Sequence, residues 1–170
     1  PGDDPAYRFQ HQLIRDATYN GLLKQTRAVL HEQMVTWAEG RNAERGRTTE
    51  FDEILGYHLE QAHRYWRDLG PLDDHAVGLG IRASDLLTAA GERAIARGDM
   101  PAAANLLVRA TDVLPASHPA LARRLLLSAQ AMHETGAFDG AIGAYARSAA
   151  AAHEVGDEAG AVAARIEGLR

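Results

Sequence analysis

Histidine next to glutamate is the pair in this chain that invites chemistry. It occurs three times, at His31-Glu32, His133-Glu134 and His153-Glu154. A helical zinc hydrolase needs a second histidine four residues after the first, so that both imidazoles face one metal while the glutamate acts as base. Those places hold Val35, Ala137 and Asp157, so none of the three fits. His58 and His63 are five apart, which puts them on different helical faces and disfavours joint ligation. There is no cysteine, and with it go thiol catalysis, cysteine zinc sites and a disulfide frame. No Gly-x-x-x-x-Gly-Lys-Ser/Thr phosphate cradle and no Gly-x-Ser-x-Gly nucleophile elbow are present. Arg41, Arg45 and Arg47 form a loop-borne basic run without interleaved aromatics, a poor nucleic-acid surface. Trp37, Tyr57, Tyr65 and Trp66 have core-like helical spacing, which predicts packing rather than base stacking. The residues thus predict no catalytic residue and no metal site.

The elements that would carry these residues are helical. In 170 residues, 46% are hydrophobic and 24% charged, as in ordinary globular domains. The formal charge of -5 argues against nucleic acid or an anionic membrane as partner. No apolar run reaches the ~18 residues of a spanning helix. The start at Pro1-Gly2-Asp3-Asp4-Pro5 is no signal peptide. It predicts a piece of something longer, and the absence of cysteine fits a reducing, cytoplasmic setting. Only Tyr7-Arg8-Phe9 could be extended.

Helices are predicted at about 11–20, with Leu13, Ile14 and Ala17 on one face, and about 22–39, with a stripe of Leu23, Leu30, Met34, Trp37 and Ala38. Residues 40–49 predict an exposed connection. Ile54, Leu55, His58, Leu59, Ala62, Tyr65, Trp66 and Leu69 keep a 3.6-residue period over about 50–69, with Thr48 or Thr49 as cap. Gly70-Pro71 ends that helix. Further helices are predicted at about 75–97 with Asp73 or Asp74 capping, 101–114 with Pro101 in the first turn, 119–134 with Ser117 as cap, 138–154, and from about 157 onward. Between 141 and 170, 11 of 30 residues are Ala, which permits close helix approach.

An internal period is visible. Gly98 to Ala103 aligns with Gly136 to Ala141, 38 residues on. The first copy has Gly91, Gly98, Ala103, Leu107, Ala110 and Pro115; the second has Ala129, Phe138, Ala141, Tyr145 and Ser148. The pattern resembles the tetratricopeptide repeat, in which small residues let two helices cross closely and large ones fill the gap to the next pair. The likeness implies an all-α fold of antiparallel hairpins stacked as a right-handed solenoid, with two copies and a truncated third over 83–170. A hairpin stack without true repeats is the alternative. The last helix then lacks a packing neighbour, which leaves it exposed or free to form a homo-oligomer.

Phe9-Gln10-His11-Gln12-Leu13-Ile14-Arg15-Asp16-Ala17-Thr18-Tyr19, with Arg27, Leu30 and His31, and then Glu53-Ile54-Leu55-Gly56-Tyr57-His58-Leu59-Glu60-Gln61-Ala62, with Tyr65 and Leu69-Gly70-Pro71, resemble a further family. It comprises the C-terminal regions of bacterial signalling ATPases of the STAND type, fused to adenylate/guanylate cyclase domains or, in relatives, to transcription-factor domains. The resemblance implies that residues 1–40 end a winged-helix part of the ATPase module, that 50–82 are linking helices, and that 83–170 are the repeats. It also implies ATP or ADP with Mg²⁺ in the parent protein, though no cofactor in this stretch alone. The Phe-x-His-x-Leu-Ile-x-Asp stretch looks like the Met-His-Asp motif of related ATPases, which makes His11 a nucleotide sensor completed by a missing core. Gln12 stands where those relatives have Asp. The alternative for His11 is a half-buried residue satisfying backbone at a helix start. Arg15 and Asp16 are expected to pair or cap.

In the family register the concave face carries Asp85, Thr88, Glu92 and Ile95, then Arg123, Leu126, Gln130 and His133. This mixed set implies a peptide or protein partner besides the rest of the ATPase chain. Such a partner biases the ATPase only if it binds its two states unequally. The implied function is a non-catalytic regulatory or sensor arm. The alternatives are the arm of an ATPase-type transcription regulator, or a catalytic fragment whose nucleotide site is completed by missing domains.

Overall fold

The computed structural model describes residues 10–45 and 51–169. Among them lie eight α-helices and no strand. They are α1 Gln12–Gly21, α2 Lys24–Arg45, α3 Asp52–Leu69, α4 Asp74–Ala96, α5 Met100–Asp112, α6 Leu121–Glu134, α7 Phe138–Glu154 and α8 Glu158–Glu167. The all-α expectation holds, and from α2 onward each helix packs on the next in sequence. Tyr7 to Phe9 and the caps at Thr48 and Thr49 lie outside the described residues.

Local chemistry sets the ends. The Asp73 carboxylate accepts from Ala76 N at 2.8 Å, Asp99 from Ala102 N at 3.2 Å and Asp157 from Gly160 N at 2.9 Å, each satisfying a free first-turn donor. Pro101 sits in the first turn of α5, where its missing N–H costs nothing. Ser117 is not the cap of α6. Ala120 holds that position without a side-chain bond, and its N–H donates to His118 Nδ1 at 3.2 Å. Gly98 and Gly136 end α4 and α6 at φ 76° and 79°, a left-handed turn that suits glycine. In both, the next N–H reaches back five residues at 2.9 Å (Asp99 to Ala94 O, Ala137 to Met132 O).

Two expectations need correction in α2. The helix runs through the predicted connection to Arg45, because a lone glycine at 40 does not stop it and Arg41, Ala43, Glu44 and Arg45 are good helix formers. Its buried face is also not the predicted stripe. Ala28, His31 and Val35 are inside, while Leu23 is 76% and Trp37 57% exposed. Small Ala28 and compact Val35 let α2 approach α3 closely, and the larger residues are turned outward. Trp37 instead lies under the Arg41 guanidinium, 5.4 Å away. Tyr57 is likewise mostly outside, so of the four aromatics only Tyr65 and Trp66 are half-buried. α1 buries none of its residues, Leu13 and Ile14 included.

The first core gathers Val35, Leu55, Leu59, Ala62, Leu79, Ala83 and Val113. Cores follow along the chain around Leu87 and Leu106, Ala94 and Leu107, then Ala129 and Tyr145. The 38-residue copies place equivalent positions inside: Gly91 and Ala129, Ala103 and Ala141, Leu107 and Tyr145, Ala110 and Ser148 are all buried. Ion pairs and one histidine–glutamate hydrogen bond join alternate helices. Glu32 (2.8 Å to His75) and Glu39 (2.8 Å to Arg82) link α2 to α4, and Asp85 and Glu92 link α4 to α6. Glu60 and Arg109 link α3 to α5. The boundary expected at 82/83 falls within the unbroken α4.

Candidate functional site

His11 stands exposed just before α1, as its N-cap, and its side chain makes no capping bond. It is therefore not a half-buried histidine satisfying backbone. Arg15 and Asp16 pair at 2.7 Å on the surface, as expected.

The residues of the expected partner face are not placed alike. Asp85 and Glu92 are bound to α6, through Arg124 at 2.5 Å and Arg123 at 3.0 Å. Arg124 also donates to the buried Ser84 hydroxyl, which itself donates to Ala110 O at 2.5 Å. Thr88 is 6% exposed, and its buried hydroxyl has no partner. Ile95 and Leu126 pack half-buried against neighbouring cores. Gln130 is exposed. His133 leaves this group: it lies edge-on to Phe138, with 5.4 Å between ring centroids. The two rings line a cavity of about 310 Å³ with Ala141, Ile142, Tyr145 and Leu169. The α4 and α6 members thus meet through charge pairs between the helices.

A second assembly was not foreseen from the sequence. His31, 7% exposed on α2, places Nδ1 2.7 Å from Nδ1 of His58 on α3. Its Nε2 is 2.8 Å from the hydroxyl of Tyr19 on α1, which is 3.0 Å from the Tyr65 hydroxyl on α3. Arg27 lies over both tyrosine rings, at 5.3 and 5.2 Å. Its guanidinium donates to Leu22 O (3.0 Å) and Asn20 O (3.1 Å), capping the free carbonyls at the end of α1.

Burial raises the Tyr65 hydroxyl pKa, but hydrogen bonds from Tyr19 and Arg27 outweigh it and the net direction is down. Burial, and then the bond to Tyr65, push Tyr19 up. With Tyr65 as acceptor, Tyr19 donates to it, His31 Nε2–H donates to Tyr19, and His58 Nδ1–H donates to His31 Nδ1. This order needs His31 neutral. Burial and the charge of His58 lower His31 to about 4, and burial lowers His58 as well. The spacing had put His58 on the inner face of α3. The partner was hidden because the α2 stripe was drawn through Leu30 and Met34 rather than His31.

Glu60 is the most deeply buried carboxylate among the described residues, 1% exposed. Arg109 donates to its Oε2 through Nη2 at 2.6 Å and Nε at 2.9 Å, and Arg64 lies 2.7 Å from Oε1. Both carboxylate oxygens face cations, so it is a structural clamp. Among the described residues no three His, Cys, Asp or Glu side chains gather as a metal site. None of the described helices is long and apolar enough to cross a membrane.

No protein family matches this chain. It is similar to an uncharacterized protein of Rhizobium meliloti (strain 1021), 33% identical over 110 residues. That stretch is 64% of this chain and 9% of the far longer relative.

Proposed function

We propose that this chain is the non-catalytic regulatory arm of a multidomain signalling ATPase linked to a nucleotide cyclase. In this reading the hairpins stack as a tetratricopeptide-like solenoid, and a protein or peptide held on the α4–α6 face biases the ATPase between its states. The ion pairs joining α2 to α4 and α4 to α6 carry the proposal. They join every second helix at the surface, which supports the reading as a hairpin stack with an extended binding face. Similarity to a stretch of a much longer chain is in keeping with an arm of a large protein.

The pairs also sharpen the reading. Asp85 is held by Arg124 and Thr88 is inside, which leaves the exposed Arg123–Glu92 pair (73% and 44%) and Gln130 as the groups a partner would meet. His11, exposed ahead of α1, is free to meet a nucleotide held by another domain.

Calorimetry with ADP and ATP plus Mg²⁺ tests this. The titrations use the chain as it stands and the same chain with several hundred preceding residues of its parent. Binding to the longer protein only, weakened by His11→Ala, is the expected result. Binding to the short chain would overturn the non-catalytic reading. Binding to the longer protein unchanged by His11→Ala would remove the sensor role of His11.

A further inference from the structure

The two copies of the 38-residue pattern carry an arginine at the same place, Arg109 before Ala110 and Arg147 before Ser148. Their surroundings differ in one respect. Arg109 reaches from α5 to α3, and its charge is met by the buried Glu60 carboxylate at 2.6 Å. Arg147, on α7, lines a groove with residues of α5 and α6 and has no such partner. It is exposed and makes no hydrogen bond, ion pair or ring contact among the described residues. Beside it α5 offers Val108, Thr111 and Asp112; the Thr111 hydroxyl is spent on Val108 O at 2.8 Å, and Asp112 makes no ion pair with Arg147.

The surface on both sides of Arg147 is hollow. One cavity, about 340 Å³, lies toward Asp112, Leu121, Ala151 and Glu154. The other, about 270 Å³, lies toward Val108, Ser128, Met132, Gly140 and Gly143. Both share Thr111, Leu125 and Arg147, so they form one groove with α6 as its floor. Gly143 keeps the α7 wall low: a Cβ there would meet nothing within 4 Å.

We infer that this groove docks a partner segment presenting one carboxylate between apolar side chains, and that the carboxylate takes on Arg147 the place Glu60 takes on Arg109. A guanidinium in a groove lined by Leu121, Leu125, Val108 and Met132 matches a glutamate or aspartate in charge and in its paired donor geometry. The flanking acids limit the match to a single charge. Asp139 and Glu154 lie eight residues before and seven after Arg147 on α7, about 12 and 10 Å along the axis at the usual rise. Asp112 adds a third negative group on the α5 side. A run of acids would be repelled at both ends. The inference concerns a different surface from the α4–α6 face and stands without the ATPase reading.

The test is a titration of the isotope-labelled chain, followed by NMR, with acetyl-Ala-Leu-Glu-Leu-Ala amide, its Gln counterpart and penta-glutamate. The Glu peptide is expected to shift the Thr111, Gly140 and Gly143 amides and the Arg147 Nε–H. It should bind about tenfold more tightly than the Gln peptide, the value of a charge-assisted hydrogen bond. Arg147→Gln should erase that preference while leaving the helical spectrum unchanged, since Arg147 supports no other residue. Val108→Glu, which supplies a carboxylate from α5, should block the peptide. No shift in the groove at millimolar Glu peptide would overturn the inference. So would equal binding of the Glu and Gln peptides, tighter binding of penta-glutamate, or a preference that survives Arg147→Gln.

Discussion

His31 and His58 share one Nδ1–Nδ1 hydrogen bond, and that bond has a definite response to acid. A first proton can go to His58 and leave the bond intact, because His58 still donates. A second proton must go to His31 Nδ1 and leaves two donors facing each other. Both histidines have lower pKa values in the folded chain than the usual 6.5. The unfolded chain therefore binds more protons below that pH, and stability falls as pH drops from about 6.5 toward 4. Urea midpoints at pH 7.5 and 4.5 should show this loss, and His31→Phe should reduce it by removing the more strongly shifted ring. His63, lowered by burial against its bond to Ala76 O, contributes in the same window and stays in that variant. Asp68, held low by Lys24, acts mainly near and below its usual 3.8, under most of this window. An equal pH dependence in His31→Phe would show that the pair is not its source. Spacing alone placed His58 inward. It could not place His31, because a polar ring is buried on a helix only when the facing helix satisfies it.

Several helix ends were legible from the sequence at a capping aspartate or a glycine, since those signals are local, although α2 runs through Gly40. Asp73, Gly98 and Gly136 behave as read. The orientation of α2 was not legible, because it depends on how closely α3 can approach rather than on the apolar content of α2. Glycines within helices report the same approach distances. A Cβ on Gly80 would come 2.6 Å from the Val113 carbonyl oxygen and 2.8 Å from His63 Nδ1, and backbone cannot step aside. Gly80→Ala should therefore destabilise by about 1–3 kcal/mol, as overpacking does. Gly78, two residues earlier on α4, has nothing within 4 Å of such a Cβ. Gly78→Ala should stabilise by about 0.5–1 kcal/mol through backbone entropy and helix propensity. Paired denaturant curves check both signs, and the same sign in both would contradict the packing at α4.

From α2 to α8 each helix packs on its neighbours in sequence, and the cores follow one another along the chain. Stability in such an arrangement is a sum of near-neighbour terms, so damage should stay local. The two ends are predicted to open first. α1 buries no residue and α8 buries only Ala161 and Ala164, whereas α3 and α4 bury seven and ten. Amide exchange should be fastest in α1 and α8 and slowest in α3 and α4. Leu59, 1% exposed in the first core, gives the sharper test. Leu59→Ala should cost about 2–5 kcal/mol as a cavity. In a chain of local terms that loss speeds exchange through α2, α3 and α4 and leaves α7 unchanged. In a single cooperative core it speeds all helices alike. The Glu60 clamp predicts where the boundary of the disturbance lies, because it ties α3 directly to α5 over α4. In Leu59→Ala, α5 should respond with α3, and the response should fade across α6, where Arg147 receives no carboxylate from α5.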